Sequence, residues 1–462
     1  MTTAASAFCT TSPASRKADT LRTIDLRGKS LAPADMLAVV PRAAQARAEA
    51  LATAAQIVDD VRTAGESALR DQAERFDHVV GHAIRVPAEH LAEALESVDP
   101  EVRTALENAI GRVRRGSAAQ VPAAHITELG PGARIIQRWQ PVGRAGVYIP
   151  GGKAPLASSV VMNVVPAQVA GVGSIALASP PQAGHGGRVH PTILAAAALL
   201  GIDEVYAIGG AGAIGALAYG VAGLGLDPVD VVSGPGNNYV ASAKRAVAGA
   251  VGTDSEAGAT EILVVADDTA DPDLVAADLV SQAEHDEQAS AVLVTDSVEL
   301  ADRVADAVAR RASDTLHAQR VAAALAGPQS AIVLVDDRGM AEAFSNAYAP
   351  EHLELHIAGA AEAAERFTSA GAVFVGDQTP VSLGDYMAGS NHVLPTGGQA
   401  RYAAGLGAYT FLRPQQVIEY DHAALDQVRE GVIALSAAEI LPAHGEAVQA
   451  RFAERSVRVD RR

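Results

Sequence analysis

The sequence predicts an α/β protein made of two successive blocks of alternating strands and helices. Two observations carry this. Apolar runs of strand length alternate with alanine-rich stretches of helix length across residues 174–250, and the alternation restarts at 261 and continues to 377. Strands buried on both faces of a parallel sheet read as continuous apolar runs, and the helices between them cover the faces. The composition agrees, with 49 % hydrophobic residues, 19 % charged residues and 42 glycines, which suit close helix–strand packing.

Before the first block, residues 43–75 and 88–120 carry charges at helical spacing and are predicted as helices. In the first block "SIALASP" (174–180), "EVYAIGG" (204–210) and "VDVVSG" (229–234) read as strands, and 190–200, 213–221 and 238–250 as helices. In the second, strands are predicted at 261–268, 290–296, 330–337, 352–358 and 370–377, with helices at 272–285, 298–325, 338–348 and 360–369. The similar size of the blocks suggests a duplication, although no strong sequence repeat accompanies it. Residues 407–462 are mixed, with helices expected at 422–434 and 444–455. A segment this small buries little by itself, so it is expected to dock on another domain or subunit.

The bulk numbers exclude several classes. A net charge of −18 over 462 residues argues against nucleic acid and anionic membranes as partners. The single cysteine, Cys9, permits no intrachain disulfide, which fits a reducing, cytoplasmic setting. It also removes the thiol that a covalent route to aldehyde oxidation needs. Residues 1–20 lack the apolar core of a secretory signal and are expected to be a disordered tail. The uncharged stretches 154–187 and 205–226 are broken by prolines and glycines and do not read as membrane spans.

The stretch "VYAIGGAGAIGALAYG" (205–220) places Gly210, Gly212 and Gly215 as G-x-G-x-x-G after a strand, the pattern of a dinucleotide-binding turn. Four other stretches carry candidate chemistry. In "DPDLVAADLVSQAEHDE" (271–287), Asp271 and Pro272 open a helix, and Gln282 and His285 share a face at its end. A weak metal pair and a solvated helix end both fit. In "NAYAPEHLELHIA" (346–358), Pro350 stops the preceding helix. The strand that follows puts His352, Glu354 and His356 on one side. Glu351 and His352 can serve one site only at a strand's mouth, where they would supply two bases of different pKa; ordinary edge polarity is the other reading. In "PVSLGDYMAGSNHVLPTGG" (380–398), Asp385 and His392 lie in a predicted loop as ligands, proton carriers or turn-forming residues. In "SAAEILPAHGEAV" (436–448), Glu439 and His444 say little beyond a capped helix.

Taken together, the chain resembles the histidinol dehydrogenase family. "RAGVYIPGGKAPLASSVVMNVVPAQVAGV", "VSGPGNNYVASAKRAV", "DLVSQAEHDEQ", "YAPEHLE", "GDYMAGSNHVLPT" and "LPAHGEAV" stand in family order, and the resemblance covers about residues 22–455. It implies a zinc-dependent, NAD-linked four-electron oxidation of L-histidinol to L-histidine through the aldehyde. One Zn2+ per subunit would be held by Gln282, His285, Asp385 and His444, a mixed N/O set that leaves room for substrate nitrogens. His352 would take the alcohol proton and Glu351 would activate water for the second oxidation. Thr260, Gln282, His285, His352, Asp385, His392, Glu439 and His444 would contact substrate; Tyr148, Asn237 and the position of Gly212 would contact NAD.

The implied fold is two incomplete Rossmann-like domains with a domain-swapped C-terminal segment. An N-terminal segment (21–42) precedes a larger domain of 43–147 with 260–406. A smaller domain, 148–259, is inserted into it, and 407–462 docks on the partner of a homodimer, completing a shared active site. The chain departs from the family pattern at Gly212, where a glutamine is usual, at Gly215, usually alanine, and at Ala259, usually proline. Two other readings stay open: a paralogous zinc/NAD dehydrogenase for another small polar alcohol, and a zinc hydrolase or inactive metal-binding scaffold.

Overall fold

The computed structural model describes residues 21–42, 48–152, 154–255 and 258–453. Cys9, the expected tail at 1–20 and Lys153 lie outside them. The described strands are, in chain order, β1 (Arg22–Asp25), β2 (His125–Gly130), β3 (Ala133–Pro141), β4 (Arg144–Tyr148), β5 (Ser174–Ser179), β6 (Val205–Ala207) and β7 (Val231–Ser233). They continue with β8 (Gly252–Thr253), β9 (Glu261–Ala266), β10 (Ser290–Thr295), β11 (Ala331–Leu334), β12 (His352–His356), β13 (Ala372–Val375) and β14 (Leu412–Tyr420).

Two parallel sheets bear out the α/β expectation. One has six strands in the order β1-β11-β10-β9-β12-β13, the other five in the order β6-β5-β4-β7-β8. Setting the short outer β1 aside, both share one topology: the first strand is central, two are added on one side, and the chain then switches to the other side. The duplication that leaves little trace in sequence is therefore visible in strand order. The switch pairs are β9 with β12 and β4 with β7, and open α/β sheets form ligand crevices at such places.

The core is aliphatic. Above the six-stranded sheet, Ile262, Val264 and Leu293 pack against Val275, Leu279 and Ala283 of the helix Pro272–Ala283; below it, Leu263, Val265, Leu353 and Leu355 pack with Phe344 and Tyr348. This two-sided burial explains the unbroken apolar runs of the sequence.

Several helices end where local chemistry dictates. The predicted helix 88–120 is two helices, Ala88–Ser97 and Pro100–Ala118, because Asp99 caps the second by accepting from the Glu101 and Val102 amides and Pro100 occupies its first turn. The predicted helix 298–325 likewise divides into Val298–Asp314 and Ala318–Ala326. In the region 43–75, the described helix Ala48–Ala64 stops at Gly65, whose φ of 57° requires glycine. Pro350 acts as expected: the helix Arg338–Tyr348 ends with Ala349 in the left-handed region at φ 49°.

By internal contacts the chain divides into two units, one running through Gln120 and over Val142–Phe411, the other comprising Val121–Pro141 and the chain from Leu412 onward. The second unit contains the antiparallel sheet β14-β3-β2 and the helices His422–Ala438 and Pro442–Gln449. The pairing of β3 with β14, from Ala133↔Tyr420 to Pro141↔Leu412, joins segments some 280 residues apart and has no counterpart in the sequence reading.

Candidate active site

Two neighbouring interior strands of the six-stranded sheet, β9 and β12, begin beside residues singled out for chemistry. Thr260 and Glu261 stand at the start of β9, and Glu351 and His352 at the start of its neighbour β12, with His352 in register with Ile262. The site therefore lies at the amino ends of the switch-pair strands, opposite to the carboxyl-end crevice usual in open α/β sheets. The reason is the helix Pro272–Ala283. It leaves the carboxyl edge after β9, runs back antiparallel, and ends at the amino edge, bringing Gln282 and His285 there.

The side chains are tightly connected. Thr260 Oγ1 donates to Glu351 Oε2 at 2.6 Å and accepts from Gln282 Nε2 at 2.5 Å. The Glu261 amide donates to the same Glu351 oxygen at 2.9 Å. His352 Nδ1–H donates to the Glu261 carbonyl at 3.1 Å, which leaves Nε2 as the basic nitrogen. Its ring lies 5.9 Å from that of Phe374. Gln282 is 1 % exposed, so the solvated-helix-end reading fails for it, and β12 is an interior strand, so Glu351 and His352 are not edge polarity.

Asp385 is not in a loop as the glycine-rich sequence suggests, but on a short helix, Val381–Tyr386. Its carboxylate is 4.0 Å from His285 Nε2 and 4.0 Å from His392 Nδ1. His392 Nδ1–H donates to the Asp385 carbonyl at 2.9 Å, and its Nε2 accepts from Ser159 Oγ at 3.0 Å. Ser159 lies on the helix Ala157–Ala170, which follows β4, so this histidine bridges the two parallel-sheet halves of the first unit.

Burial sets the proton affinities. It pushes the His352 imidazole down to about 4, although Asp385 pulls the other way, so the ring is neutral near pH 7. Burial also raises Glu351 well above the usual carboxylate range; the Thr260 and Glu261 hydrogen bonds oppose this, and the carboxyls of Glu261 and Asp385 add to it. A neutral imidazole beside a carboxyl of raised pKa can supply two bases of different proton affinity. Glu261, itself raised by burial, is paired with Arg42, whose guanidinium also stacks 4.0 Å over the Tyr348 ring. Arg42 and Glu261 were not legible as site residues: only the fold puts residue 42 beneath a strand that begins at 261.

The residues expected to meet a dinucleotide gather at the carboxyl edge of the five-stranded sheet, where the switch-point rule places ligands. Tyr148 ends β4, and its hydroxyl accepts from the Gly210 amide at 3.2 Å. Asn237 follows β7 and caps the helix Asn238–Val247, its Oδ1 accepting from the amides of Tyr239 and Val240. The turn ahead of Asn237 is pinned by a buried ion pair: Lys244 Nζ donates to Asp254 Oδ1 and to the Gly234 carbonyl, each at 2.5 Å, while the Gly234 amide donates to Asp254 Oδ2 at 2.9 Å. Gly234, at φ 124°, is held so close to β4 that a Cβ there would meet the Tyr148 carbonyl oxygen at 2.0 Å.

Gly212 and Gly215 lie inside the helix Gly210–Tyr219, one turn apart, and serve packing. A Cβ at Gly215 would meet Val58 Cα at 3.2 Å; one at Gly212 would fall 1.9 Å from Gln72 Oε1. Gln72 Nε2 in turn donates to the Gly209 carbonyl at 2.6 Å. The G-x-G-x-x-G pattern thus admits a neighbouring helix and a buried carboxamide. Glu439 and His444 lie in the second unit, Glu439 at the end of the helix His422–Ala438 and His444 on the helix Pro442–Gln449.

Comparison with known proteins decides the family. The histidinol dehydrogenase family model matches residues 40–452. The chain belongs to the histidinol dehydrogenase family. It is 62 % identical over 436 residues to histidinol dehydrogenase of Leifsonia xyli subsp. xyli, covering 94 % of this chain and all of that protein. It is 56 % identical over 429 residues to histidinol dehydrogenase of Thermobifida fusca, covering 93 % and 97 % of the two chains. The crystal structure of histidinol dehydrogenase from Elizabethkingia anophelis superposes with a TM-score of 0.87 at 32 % identity, covering 94 % of this chain and 98 % of that one. The histidinol dehydrogenase fold thus accounts for the two parallel sheets, and the chain is an oxidoreductase of this family. Among the described residues, no helix is long and apolar enough to cross a membrane.

Proposed function

We propose that the chain carries out the four-electron oxidation of L-histidinol to L-histidine through L-histidinaldehyde, with Zn2+ and NAD, in the cytoplasmic synthesis of histidine. The observation that carries this reading is the buried Glu351–His352 pair, coupled through the Thr260 hydroxyl to Gln282. It stands in a chain with 62 % identity to a protein named histidinol dehydrogenase.

The donor set fits a zinc ion. With Gln282 Nε2 committed to Thr260, the amide oxygen is the atom turned to other use. His285 and Asp385 add an imidazole and a carboxylate 4.0 Å apart, and zinc accepts such mixed N/O ligands while its shell can expand beyond four to take further donors. His444 of the partner subunit would be the fourth ligand, and Glu439 of the partner subunit would meet the substrate. The second unit supports this docking. It buries few of its side chains, and Ile440, Leu435 and Ile418 are 85, 66 and 65 % exposed in the single chain. Apolar surface of this kind calls for a cover. The partition into 43–147 with 260–406, an inserted 148–259 and a docking 407–462 belongs to the same reading.

When bound, the zinc would hold the substrate's amino and imidazole nitrogens and NAD would accept a hydride in each half-reaction. His352 Nε2 takes the alcohol proton, its ring fixed from behind by the Glu261 carbonyl. Glu351 takes a proton from the water that attacks the aldehyde, and its raised proton affinity makes it the stronger base once ionised. Thr260 and the Glu261 amide hold that carboxyl in place. His392, held between Asp385 and Ser159, lines the substrate side. Tyr148, Asn237 and the backbone at Gly212 receive NAD, with the turn at Gly234 giving the close backbone approach a pyrophosphate needs.

The test is stoichiometric. Purified full-length protein incubated with L-histidinol, excess NAD and Zn2+ yields two NADH per histidinol consumed. One NADH with aldehyde accumulating, or NADH only from other alcohols, favours the paralogous dehydrogenase; none from any alcohol rejects both.

A further inference from the structure

A second buried polar cluster lies on the same strand and under the same helix as the candidate active site. Side chains alternate along β12, so Glu354 and His356 share the face of His352, which is covered by the helix Pro272–Ala283. Asp278 of that helix completes the group. Asp278, Glu354 and His356 each offer one ligand atom, and these atoms lie within 4.8 Å of one another. They are 7, 0 and 5 % exposed, beside an apolar core cluster that includes Val264, Val275 and Leu279 of the same strand pair and helix, with the charges of Arg311 and Asp377 acting on them.

The group is poorly satisfied as it stands. Glu354 Oε1 accepts from the Val381 amide at 2.6 Å, which fixes the carboxylate plane. Its Oε2 and both ring nitrogens of His356 are buried without a hydrogen-bond partner; the nearest approach, His356 Nε2 to Glu354 Oε2, is 3.4 Å. Buried polar atoms are nearly always partnered, so three orphaned atoms converging from two fully buried side chains point to a missing ligand.

We propose that Asp278, Glu354 and His356 form a second cation site, separate from the Gln282–His285–Asp385 set, for a first-row divalent ion of which Zn2+ is the probe. Burial lowers the His356 proton affinity, but the carboxylates of Glu354, Asp278 and Asp377 raise it above its ordinary value overall, so an entering dication displaces that proton, and its charge is balanced by the Asp278 and Glu354 carboxylates. Two donors at about 2.1 Å from one ion are at most about 4.2 Å apart, so rotations of a few tenths of an ångström bring the atoms into range. Two oxygens and one nitrogen suit zinc or manganese better than calcium, which takes six to eight oxygens. Burial and the Glu354 carboxyl push Asp278 up to about 7 without an ion, as expected where two carboxylates share one apolar site. The ion would brace the sheet. Asp278 precedes Gln282 by one helical turn and Glu354 follows His352 by two residues, so it would lock the helix and the strand that aim the active-site groups.

Metal-free full-length protein is titrated with Zn2+ by calorimetry, alongside Glu354→Gln, His356→Gln and His285→Ala. The expected stoichiometry is two per chain for the wild type and one for each variant. One equivalent in the wild type, kept by His356→Gln and lost in His285→Ala, overturns the second site and leaves the proposed function standing. One equivalent lost in His356→Gln but kept in His285→Ala supports the second site and counts against the proposed zinc ligands. No binding overturns both. Should the variants fail to fold, anomalous diffraction at the zinc edge from wild-type crystals decides: a peak among the three side chains supports the site, and none at saturating zinc overturns it.

Discussion

The Thr260 hydroxyl donates to Glu351 at 2.6 Å while accepting from Gln282 at 2.5 Å. One hydroxyl thus orients both the carboxyl proposed to activate water and the amide proposed to bind zinc. Thr260→Val keeps the shape and removes both bonds. Zinc affinity is expected to fall about 10- to 100-fold, as for other groups that orient metal ligands, and aldehyde oxidation to slow more than alcohol oxidation. Calorimetry and single-turnover kinetics read the two effects. Unchanged affinity with unchanged half-reactions would remove Thr260 from the machinery.

The half-reactions should separate at the Glu351–His352 pair. His352→Ala loses the base for the alcohol proton and is expected to slow the first oxidation about 10²- to 10⁴-fold. Glu351→Ala should leave aldehyde formation closer to normal while histidine formation collapses. Equal loss of both steps in Glu351→Ala would sink its role in water activation.

The neutral state of His352 has a signature in pH. Its proton affinity is about 6.5 in the unfolded chain and about 4 in the buried site. Between these values the unfolded state binds more protons, so stability is full above pH 6.5 and declines as pH falls toward 4. The loss amounts to at most about 3 kcal/mol. Urea midpoints of the metal-free protein should drop across this window and flatten in His352→Asn. Ring-nitrogen NMR should find a neutral Nδ1–H imidazole at pH 6; a midpoint near 6.5 would contradict the burial argument.

Restoring the family's usual glutamine at position 212 should not help. Its Cβ would fall on Gln72 Oε1 and displace a side chain bonded to Gly209. Gly212→Gln is expected to cost about 1–3 kcal/mol, the usual range for overpacking, without lowering KM for NAD. Adding Gln72→Ala should recover part of the stability. A lower KM in the single variant would mean that a side chain at position 212 reaches the cofactor.

The Lys244–Asp254 pair, 2 % exposed on both sides, holds the turn before Asn237. Lys244→Met leaves a buried carboxylate unpaired and should cost about 3–5 kcal/mol, seen as a lower thermal midpoint. KM for NAD should rise with it while zinc binding stays unchanged. A stable variant with normal KM would detach the turn from cofactor binding.

Much of this was legible before folding. The strand-like runs at 261–268 and 290–296 and the Asp271-Pro272 helix start became β9, β10 and the helix Pro272–Ala283 because burial on both faces and local capping write themselves into neighbouring residues. Glu351, His352, Gln282 and His285 could be picked out because their residue types stand near element ends. The breaks at Asp99-Pro100 and near Thr315 were missed because alanine-rich periodicity runs through them. Asp385 was misplaced because a six-residue helix of Ser, Leu, Gly and Asp carries no helical pattern.

By itself, the sequence determined the α/β class, most of the order of elements between 174 and 377, the family and the residue types available for chemistry, since these depend on local pattern and shared motifs; β1 to β4 and β14 were not read from it. Only the tertiary structure decided where those residues meet. The helix returning from β9 carries Gln282 to the amino ends of β9 and β12, and the sheet order makes neighbours of Thr260 and Glu351, 91 positions apart. It also decided what the glycine pattern means. Gly212 is a space for Gln72, a relation set by packing between two helices that no spacing within one of them encodes.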